Sequence, residues 1–191
     1  MHRAISPPRS DAARNVRRIL DAATRVLATR PDASMQEIAA TAGLNRGTLY
    51  RHFNNREQLI TAIQRAGLAE VQSLFADLPG RGPVIPALCD ALAQGIALGA
   101  RYRVVALAPR SDPDLLIDEA ATALPLAAVV ERGKRRGEID PALDTIYVAA
   151  LFAHTALATI GLVERTGFDA ATATDNALRT FAKAIAAPSD G

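Results

Sequence analysis

Apolar residues recur at the spacing of amphipathic helices in the first third of the chain. Residues 14–30 carry one helical stripe, which ends at Pro31. A longer stripe covers residues 55–78, and the Pro- and Gly-rich stretch 79–83 ends it. The pattern therefore predicts a first and a fourth helix. Residues 1–13 have little apolar content, and we expect them to form a flexible tail.

Two short helices are predicted between these longer ones. Ser34 and the glutamate three residues later have the spacing of a capping box, which predicts a helix over residues 35–42. Gly43 ends this helix, because glycine most easily adopts the positive φ of a helix C-cap. Asn45 is a suitable N-cap for a third helix over residues 46–52.

The chain beyond residue 83 also has helical spacing throughout. The predicted segments are 84–99, 101–108, 113–136 with a kink at Pro125, 141–165 with Asp140 as its cap, and 169–187. We find neither an internal repeat nor strand-like alternation. The sequence therefore predicts an all-α protein of about nine helices, with an N-terminal domain at 14–78 and a C-terminal domain at 84–191.

Composition excludes several classes of protein. The single cysteine, Cys89, excludes a disulfide framework and a multi-cysteine zinc site. No stretch of about 18 apolar residues lacks a charge, Gly or Pro, which argues against a membrane span. The first 14 residues lack the apolar region of a secretory signal. We therefore expect a cytoplasmic protein with no membrane partner.

Charge is distributed unevenly along the chain. The whole sequence has 22 basic and 20 acidic residues, a net charge of +2. Residues 1–65 hold 11 arginines against 5 acids, a balance of +6, whereas residues 66–191 have a balance of −4. A basic first third favours contact with a polyanion, and the rest of the chain does not.

The two short helices joined at Gly43 predict a helix-turn-helix motif. The outward face of helix 46–52 is rich in hydrogen-bond donors and lacks carboxylates, which suits the major groove of DNA. The stretches ILDAATRVLA and SMQEIAATAGLNRGTLYRHFNNREQLITAI lie between about Asn15 and Ala66. They resemble the TetR family of bacterial transcriptional repressors. The resemblance covers about a third of the chain.

This resemblance implies DNA-binding roles for particular residues. Arg46 would read a base through a bidentate fork or clamp a phosphate, Gly47 would allow close backbone approach, and Thr48 would contact a phosphate or a thymine methyl group. The remaining contacts would be made to phosphates, or by Gln36 also to a base edge. The implied set is Gln36, Arg46, Gly47, Thr48, Tyr50, His52 and Arg56, and the role of Arg51 stays open.

The resemblance also implies a homodimeric repressor that a ligand releases from a pseudo-palindromic operator. The dimer would form through the last two helices, and the small residues of helix 141–165 independently favour close helix–helix approach. The expected interface residues are Ala149, Ala153, Ala156, Ile160, Leu178 and Phe181. A ligand held between helices four to seven would shift the fourth helix and weaken DNA binding.

The ligand pocket is the feature that the sequence specifies least. Its candidate lining residues are Phe75, Leu88, Cys89, Leu92, Tyr102, Tyr147, Leu151 and His154. Each of these also fits an ordinary core position, including Cys89 as a small buried side chain and His154 as a hydrogen-bonded core or interface histidine. The mostly apolar C-terminal domain predicts an apolar or aromatic effector, without a metal or other cofactor.

Other classes of function have less support in the sequence. Three histidines, one cysteine and no H-E-x-x-H, G-x-S-x-G or phosphate-loop motif provide no catalytic set, so we expect no enzyme. A module that uses its helix-turn-helix without a small molecule remains an alternative. An activator remains a second alternative, because the position of the operator decides the sign of regulation.

Overall fold

The computed structural model describes residues 8–78, 80–102 and 125–188, and within them side chains from residue 13 onward. These ranges contain helices, turns and one isolated β-bridge, which confirms the all-α prediction. The helices are α1 (Pro8–Thr29), α2 (Met35–Thr41), α3 (Arg46–His52), α4 (Arg56–Ala76), α5 (Val84–Arg101), α6 (125–135), α7 (Thr145–Thr166) and α8 (Ala170–Ile185). The chain divides into two compact units, Met1–Ala66 and Gly67–Gly191, which we name the head and the body.

Helix α1 begins earlier than the sequence pattern predicts. Its first residue is Pro8, whereas the apolar stripe starts after Arg14. Proline is well placed in a first helical turn, because its missing N–H would have no helical partner there. The segment 1–13, expected to be a flexible tail, therefore overlaps α1 from residue 8 onward.

The core of the head combines side chains from all four of its helices. Helix α1 packs on α2, and α2 packs on α3. Ile19, Leu27, Ile38, Leu49 and Leu59 are almost completely buried there. Full burial of one such side chain stabilises the fold by about 1.5–3 kcal/mol relative to exposure. These few contacts fix the angle between the two short helices.

Polar caps set the ends of α2. Ser34 Oγ accepts from the backbone N–H of Glu37, and Glu37 Oε2 accepts from the N–H of Ser34 at 2.8 Å, so the predicted capping box is present. Gly43 has φ +65° and turns the chain toward α3. Arg18 of α1 donates to the carbonyl of Ala42 at 2.9 Å. This last bond satisfies a terminal carbonyl of α2 and ties it to α1.

The core of the body is formed by α5, α7 and α8, which pack on one another, with further side chains from α4 and α6. Phe152 of α7 lies between two other rings. Its centroid is 5.4 Å from that of Phe75 and 5.6 Å from that of Phe181, and both pairs are edge-on. This geometry is the one that aromatic quadrupoles favour.

Helices α5 and α7 meet at a glycine. A Cβ atom placed on Gly99 would lie 2.2 Å from Cδ1 of Ile160. The terminal methyl group of Ile160 therefore occupies the space that any other residue at position 99 would need. A larger residue at position 99 would therefore require the Ile160 side chain to move.

Helix α7 begins at Thr145 and not at Pro141, so the predicted start and its cap at Asp140 are wrong. Asp144 is the cap, and its Oδ1 accepts from the N–H groups of Ile146 and Tyr147. The preceding chain is extended: Ile139 pairs with Ala186 in a β-bridge, and the N–H of Asp140 donates to the carbonyl of Ile185. This pairing holds the backbone out of the helical region until the turn at 141–144 is complete.

The other predicted boundaries differ by only a few residues where the structure describes them. Helix α4 ends at Ala76, α5 continues to Arg101, and α6 agrees with the second half of the predicted helix 113–136. The predicted helix 101–108, beyond residue 102, lies outside the described residues. The residues just before Pro125 also lie outside the described residues, and therefore so does the predicted kink.

Two described helices, α5 and α7, are long and apolar enough to cross a membrane by length and composition alone. Each contributes a buried face to the core of the body. Leu88 and Leu92 of α5, and Val148 and Phe152 of α7, are almost completely buried. Packing inside the body therefore accounts for one face of each helix, since 28% of the α5 window and 33% of the α7 window are buried.

Candidate nucleic-acid interface

Helix α3 presents one polar face and buries the other. Leu49, on the inner face, is completely buried. On the outer face Arg46, Gly47 and Arg51 are exposed, while Thr48, Tyr50 and His52 are half-buried. No carboxylate belongs to this helix. The face therefore offers donors and positive charge to a partner rich in acceptors and negative charge.

Arg46 and Tyr50 stack on each other one turn apart on α3. The guanidinium carbon of Arg46 lies 5.1 Å from the centroid of the Tyr50 ring. Stacking orients the guanidinium plane and leaves its N–H groups available at the edges. An arginine held in this way loses less side-chain freedom when it binds a base or a phosphate.

Gly47 is not required by the local fold of α3. Asn45 caps the helix, since its Oδ1 accepts from the N–H of Thr48 at 2.7 Å. A Cβ atom at Gly47 would meet only this oxygen, at 3.5 Å, which is an ordinary contact distance. Because position 47 has no side chain, another molecule could approach the backbone of α3 closely there.

The first turn of α2 places Gln36 at the surface. Gln36 is exposed, whereas its neighbour Glu37 is held by the capping box and by Arg30, whose Nη1 donates to Glu37 Oε1 at 2.5 Å. The hydrogen bonds from the Ser34 N–H and hydroxyl, with the Arg30 charge, lower the pKa of Glu37. This carboxylate is paired within the head and leaves the adjacent Gln36 amide to contact a partner.

Arg56 has a role inside the head that sequence reasoning missed. Its guanidinium donates to the carbonyls of Pro31 and Ala33 and is half-buried. It therefore ties the start of α4 to the turn between α1 and α2. The expected phosphate contact would have to use the rest of this guanidinium, because two of its nitrogens are engaged. No local signal in the sequence marks this clamp, because the carbonyls that accept from Arg56 are 23 and 25 residues away along the chain.

A comparison with protein families matches residues 19–63 to a profile described as "Bacterial regulatory proteins, tetR family". The matched segment runs from within α1, through α2 and α3, into α4, and so contains the whole helix-turn-helix. Over this segment the chain is similar to the TetR family, as the resemblance in the sequence predicts.

One similar TetR-family protein is the HTH-type transcriptional repressor LfrR of Mycolicibacterium smegmatis. It is 38% identical over 106 residues, which are 53% of this chain and 56% of LfrR. The alignment therefore spans just over half the length of this relative. A shorter match, 57% identical over 47 residues, is to the regulator Rv1255c of Mycobacterium tuberculosis, and covers 24% of this chain and 23% of that one.

Solved structures show the same fold over nearly the whole chain. LfrR from Mycobacterium smegmatis in complex with proflavine has a TM-score of 0.74 at 24% identity and covers 92% of this chain and 98% of its own. AibR in complex with isovaleryl coenzyme A and operator DNA has a TM-score of 0.66 at 20% identity, with 87% and 97% covered. At these identities the likeness concerns the fold.

In the body, the eight candidate pocket residues divide between the core and the surface. They differ in exposure and in the helix that carries them. Phe75, Leu88, Leu92 and Tyr102 are buried, Cys89 and Leu151 are half-buried, and Tyr147 and His154 are exposed on α7.

A cavity of about 710 Å³ lies elsewhere in the body, between α4 and α5, and none of the eight residues lines it. Cys89 instead belongs to the packing of α5 on α8, where its Sγ approaches the Leu178 carbonyl at 3.9 Å. Burial, with the Asp90 charge, raises the pKa of this thiol. Helical periodicity thus identified the core stripe, and the assignment of these residues to a ligand pocket stays a prediction.

The expected dimer residues are also divided by the structure. Ala149, Ile160 and Phe181 are buried within the body, so they have no free surface for a partner. Ala153 is exposed, and Ala156 and Leu178 are half-buried. The large apolar residues that α7 does expose are Ile146, at 78%, Tyr147, at 60%, and Leu162. One side of α7 thus packs in the core of the body, and other large apolar residues of the same helix are exposed.

Proposed function

We propose that this protein is a TetR-family, sequence-specific transcriptional regulator whose α3 enters the major groove of operator DNA. The observation that supports the proposal most directly is the outer face of α3. This face has hydrogen-bond donors, an Arg46 guanidinium that lies over the Tyr50 ring, and no side chain at Gly47. The proposed contacts are Gln36, Arg46, Gly47, Thr48, Tyr50 and His52. Arg51 is exposed at the end of this face and is a candidate for a further phosphate contact, whereas Arg56 acts first within the head.

The experiment that tests this function is selection of bound duplexes from a random DNA pool, followed by salt titration on wild type and Arg46→Ala. We expect an inverted repeat. We expect Arg46→Ala to cost about 1–3 kcal/mol and to relax discrimination at one base pair of each half-site. Arg25→Ala is the matched control, because Arg25 is an exposed arginine of α1. It should weaken binding slightly and equally on all sequences. Failure to enrich any sequence would contradict the proposal.

We also propose a homodimer, and the exposed side of α7 supports it. Ile146 and Tyr147 are exposed at the start of α7, and the exposed Ala150 and Ala153 follow Ile146 on the same side of the helix, so that burial of this face would stabilise association. A two-fold axis at α7 and α8 would present two recognition helices about 34–36 Å apart, one turn of DNA. We therefore expect the operator to be a pseudo-palindrome.

The dimer is tested by placing a charge on this face. Ala153→Asp would bury an unpaired carboxylate in the interface, and we expect sedimentation to show monomers at concentrations where wild type is dimeric. Ala128→Asp is the control, since Ala128 is an exposed alanine of α6. An intact Ala153→Asp dimer of wild-type affinity would place the interface elsewhere.

Release by a small molecule is the proposed mode of regulation. The support is that structures of the same fold carry such ligands: LfrR was solved with proflavine, and AibR with isovaleryl coenzyme A and operator DNA. Helix α4 contains residues of both units, so a ligand that displaces its body half also acts on its head half. Because coupling is reciprocal, operator DNA must weaken the ligand to the same extent. In this proposal the protein is a cytoplasmic, non-catalytic repressor.

A further inference from the structure

Arginines from two other helices hold the two ends of α2. Arg56, the first residue of α4, donates to the carbonyls of Ala33 and Pro31, just before the N-cap of α2. Arg18 of α1 donates to the carbonyl of Ala42 at the other end, at 2.9 Å. All three acceptors are backbone atoms. The two guanidinium groups therefore hold the path of the main chain itself.

The start of α4 gives Arg56 a fixed base. Asn55 Oδ1 accepts from the N–H of Gln58 at 2.8 Å, and Gln58 Oε1 accepts from the N–H of Asn54 at 3.0 Å. These bonds close the first turn of α4 in the manner of a capping box. Leu59, which follows at once, is completely buried in the core of the head. Arg56 therefore extends from a rigid helix end.

Residues 31–33 lead directly into the first turn of α2. Ser34, the next residue, is the N-cap of this helix, and Gln36 is exposed two residues further along. The N–H of Ile38 donates to the carbonyl of Ser34 at 3.1 Å, so the cap is continuous with the helix. A displacement of residues 31–33 must therefore also displace Gln36, a proposed DNA contact.

We propose that Arg56 is a positioning residue for DNA recognition, which holds residues 31–33, and with them Gln36, in the place that operator DNA requires. The inference rests on the proposed function, and it replaces the phosphate contact that the resemblance implies for Arg56. Two terminal nitrogens of this guanidinium already donate to carbonyls. An arginine fork matches two acceptors at once, whereas a lysine ammonium presents one nitrogen on a shorter side chain. The two roles therefore predict different results for Arg56→Lys.

The test measures binding of the operator obtained by selection to wild type, Arg56→Lys and Arg56→Gln. Salt is varied, at a temperature where circular dichroism shows each protein folded. We expect both variants to bind about tenfold more weakly, because both lose the pair of carbonyl bonds. The slope of log affinity against log salt should change by less than about 0.5, since no phosphate contact is lost. Arg25→Gln, which removes an exposed arginine of α1, is the control for charge and should weaken binding less than about twofold.

A second measurement needs no DNA. Amide hydrogen exchange reports the opening of the first turn of α2, where the N–H of Glu37 bonds to Ser34 Oγ and the N–H of Ile38 bonds to the Ser34 carbonyl. Both Arg56 variants should accelerate exchange at these two amides by about tenfold. Arg25→Gln should leave their exchange unchanged.

Three results would overturn the inference. Wild-type affinity in Arg56→Lys, with a salt slope lower by about one unit in Arg56→Gln, would make Arg56 a phosphate contact. Unchanged affinity in folded variants of lower stability, or variants that do not fold, would make its role structural only. Unchanged exchange at Glu37 and Ile38 would mean that Arg56 does not hold α2. Failure of wild type to select any sequence contradicts the proposed function instead, and the exchange measurement still tests the clamp.

Discussion

The head and the body depend on contacts of different range in sequence. In the head, the capping bonds that define α2 join Ser34 and Glu37, which are three residues apart. In the body, the first N–H of α5, that of Val84, donates to the carboxylate of Glu138, which is 54 residues further along the chain. The proposed DNA-binding surface of the head is one face of a seven-residue helix, whereas the cavity of the body needs two long helices and the turn between them.

This difference determines which parts of the molecule follow from local sequence. A capping box, a glycine stop and an N-cap specify the helix-turn-helix within about 20 residues, independently of the rest of the chain. The shape of a cavity depends on how whole helices pack, and the same apolar stripe fits several arrangements. Substitutions in each unit test this difference, and the loss of stability that we expect from them decreases from the body to the head.

The largest loss of stability is expected in the core of the body. Phe181→Ala removes a ring that is almost completely buried and packs edge-on against Phe152. We expect it to lower the free energy of unfolding by about 3–5 kcal/mol. Urea unfolding measures this loss, and Phe168→Ala is the control, because Phe168 is 42% exposed. A loss below about 1 kcal/mol would mean that the body is not held together by this aromatic cluster.

An intermediate loss is expected at the turn of the head. Gly43→Ala would force a side chain to adopt φ +65° and place its Cβ atom 3.0 Å from Arg18 Nη2. We expect it to destabilise the protein by about 1–2 kcal/mol. Gly47→Ala is the matched substitution, since it meets only an ordinary contact in α3. It should preserve stability and weaken DNA binding. Equal loss of stability in both variants would contradict the structural role given to Gly43 alone.

The smallest effect is a dependence on pH at the start of α2. The pKa of Glu37 is lowered in the folded protein by the Ser34 N–H and hydroxyl and by Arg30. Its charged form therefore stabilises the head fully above its unfolded pKa, and this contribution disappears as the pH falls through the folded pKa. Urea unfolding should show wild type more stable than Glu37→Gln at pH 7, with the difference vanishing in acid. A difference independent of pH would exclude a role for the charge.

Much of the head could be predicted from sequence because its signals are local. The capping box at Ser34, the positive φ of Gly43 and the cap at Asn45 are all present in the structure. The clamp made by Arg56 could not be predicted, because it depends on which carbonyls the fold brings to the start of α4.

The body is harder to predict for the same physical reason. Asp140 and Asp144 are equally good caps in sequence, and only the distant pairing of Ile139 with Ala186 decides between them. Tyr147 fits a buried stripe by spacing, yet it lies on the exposed side of a helix that is apolar nearly all round, and His154 does the same. When every face of a helix is apolar, periodicity no longer indicates which face is inside.

The close approach at Gly99 favours one register of α5 on α7. The Ile160 methyl group fills the notch that a glycine leaves on α5, so the two helices interlock at one point along their length. This steric match favours the observed register over one in which the methyl group would face a side chain.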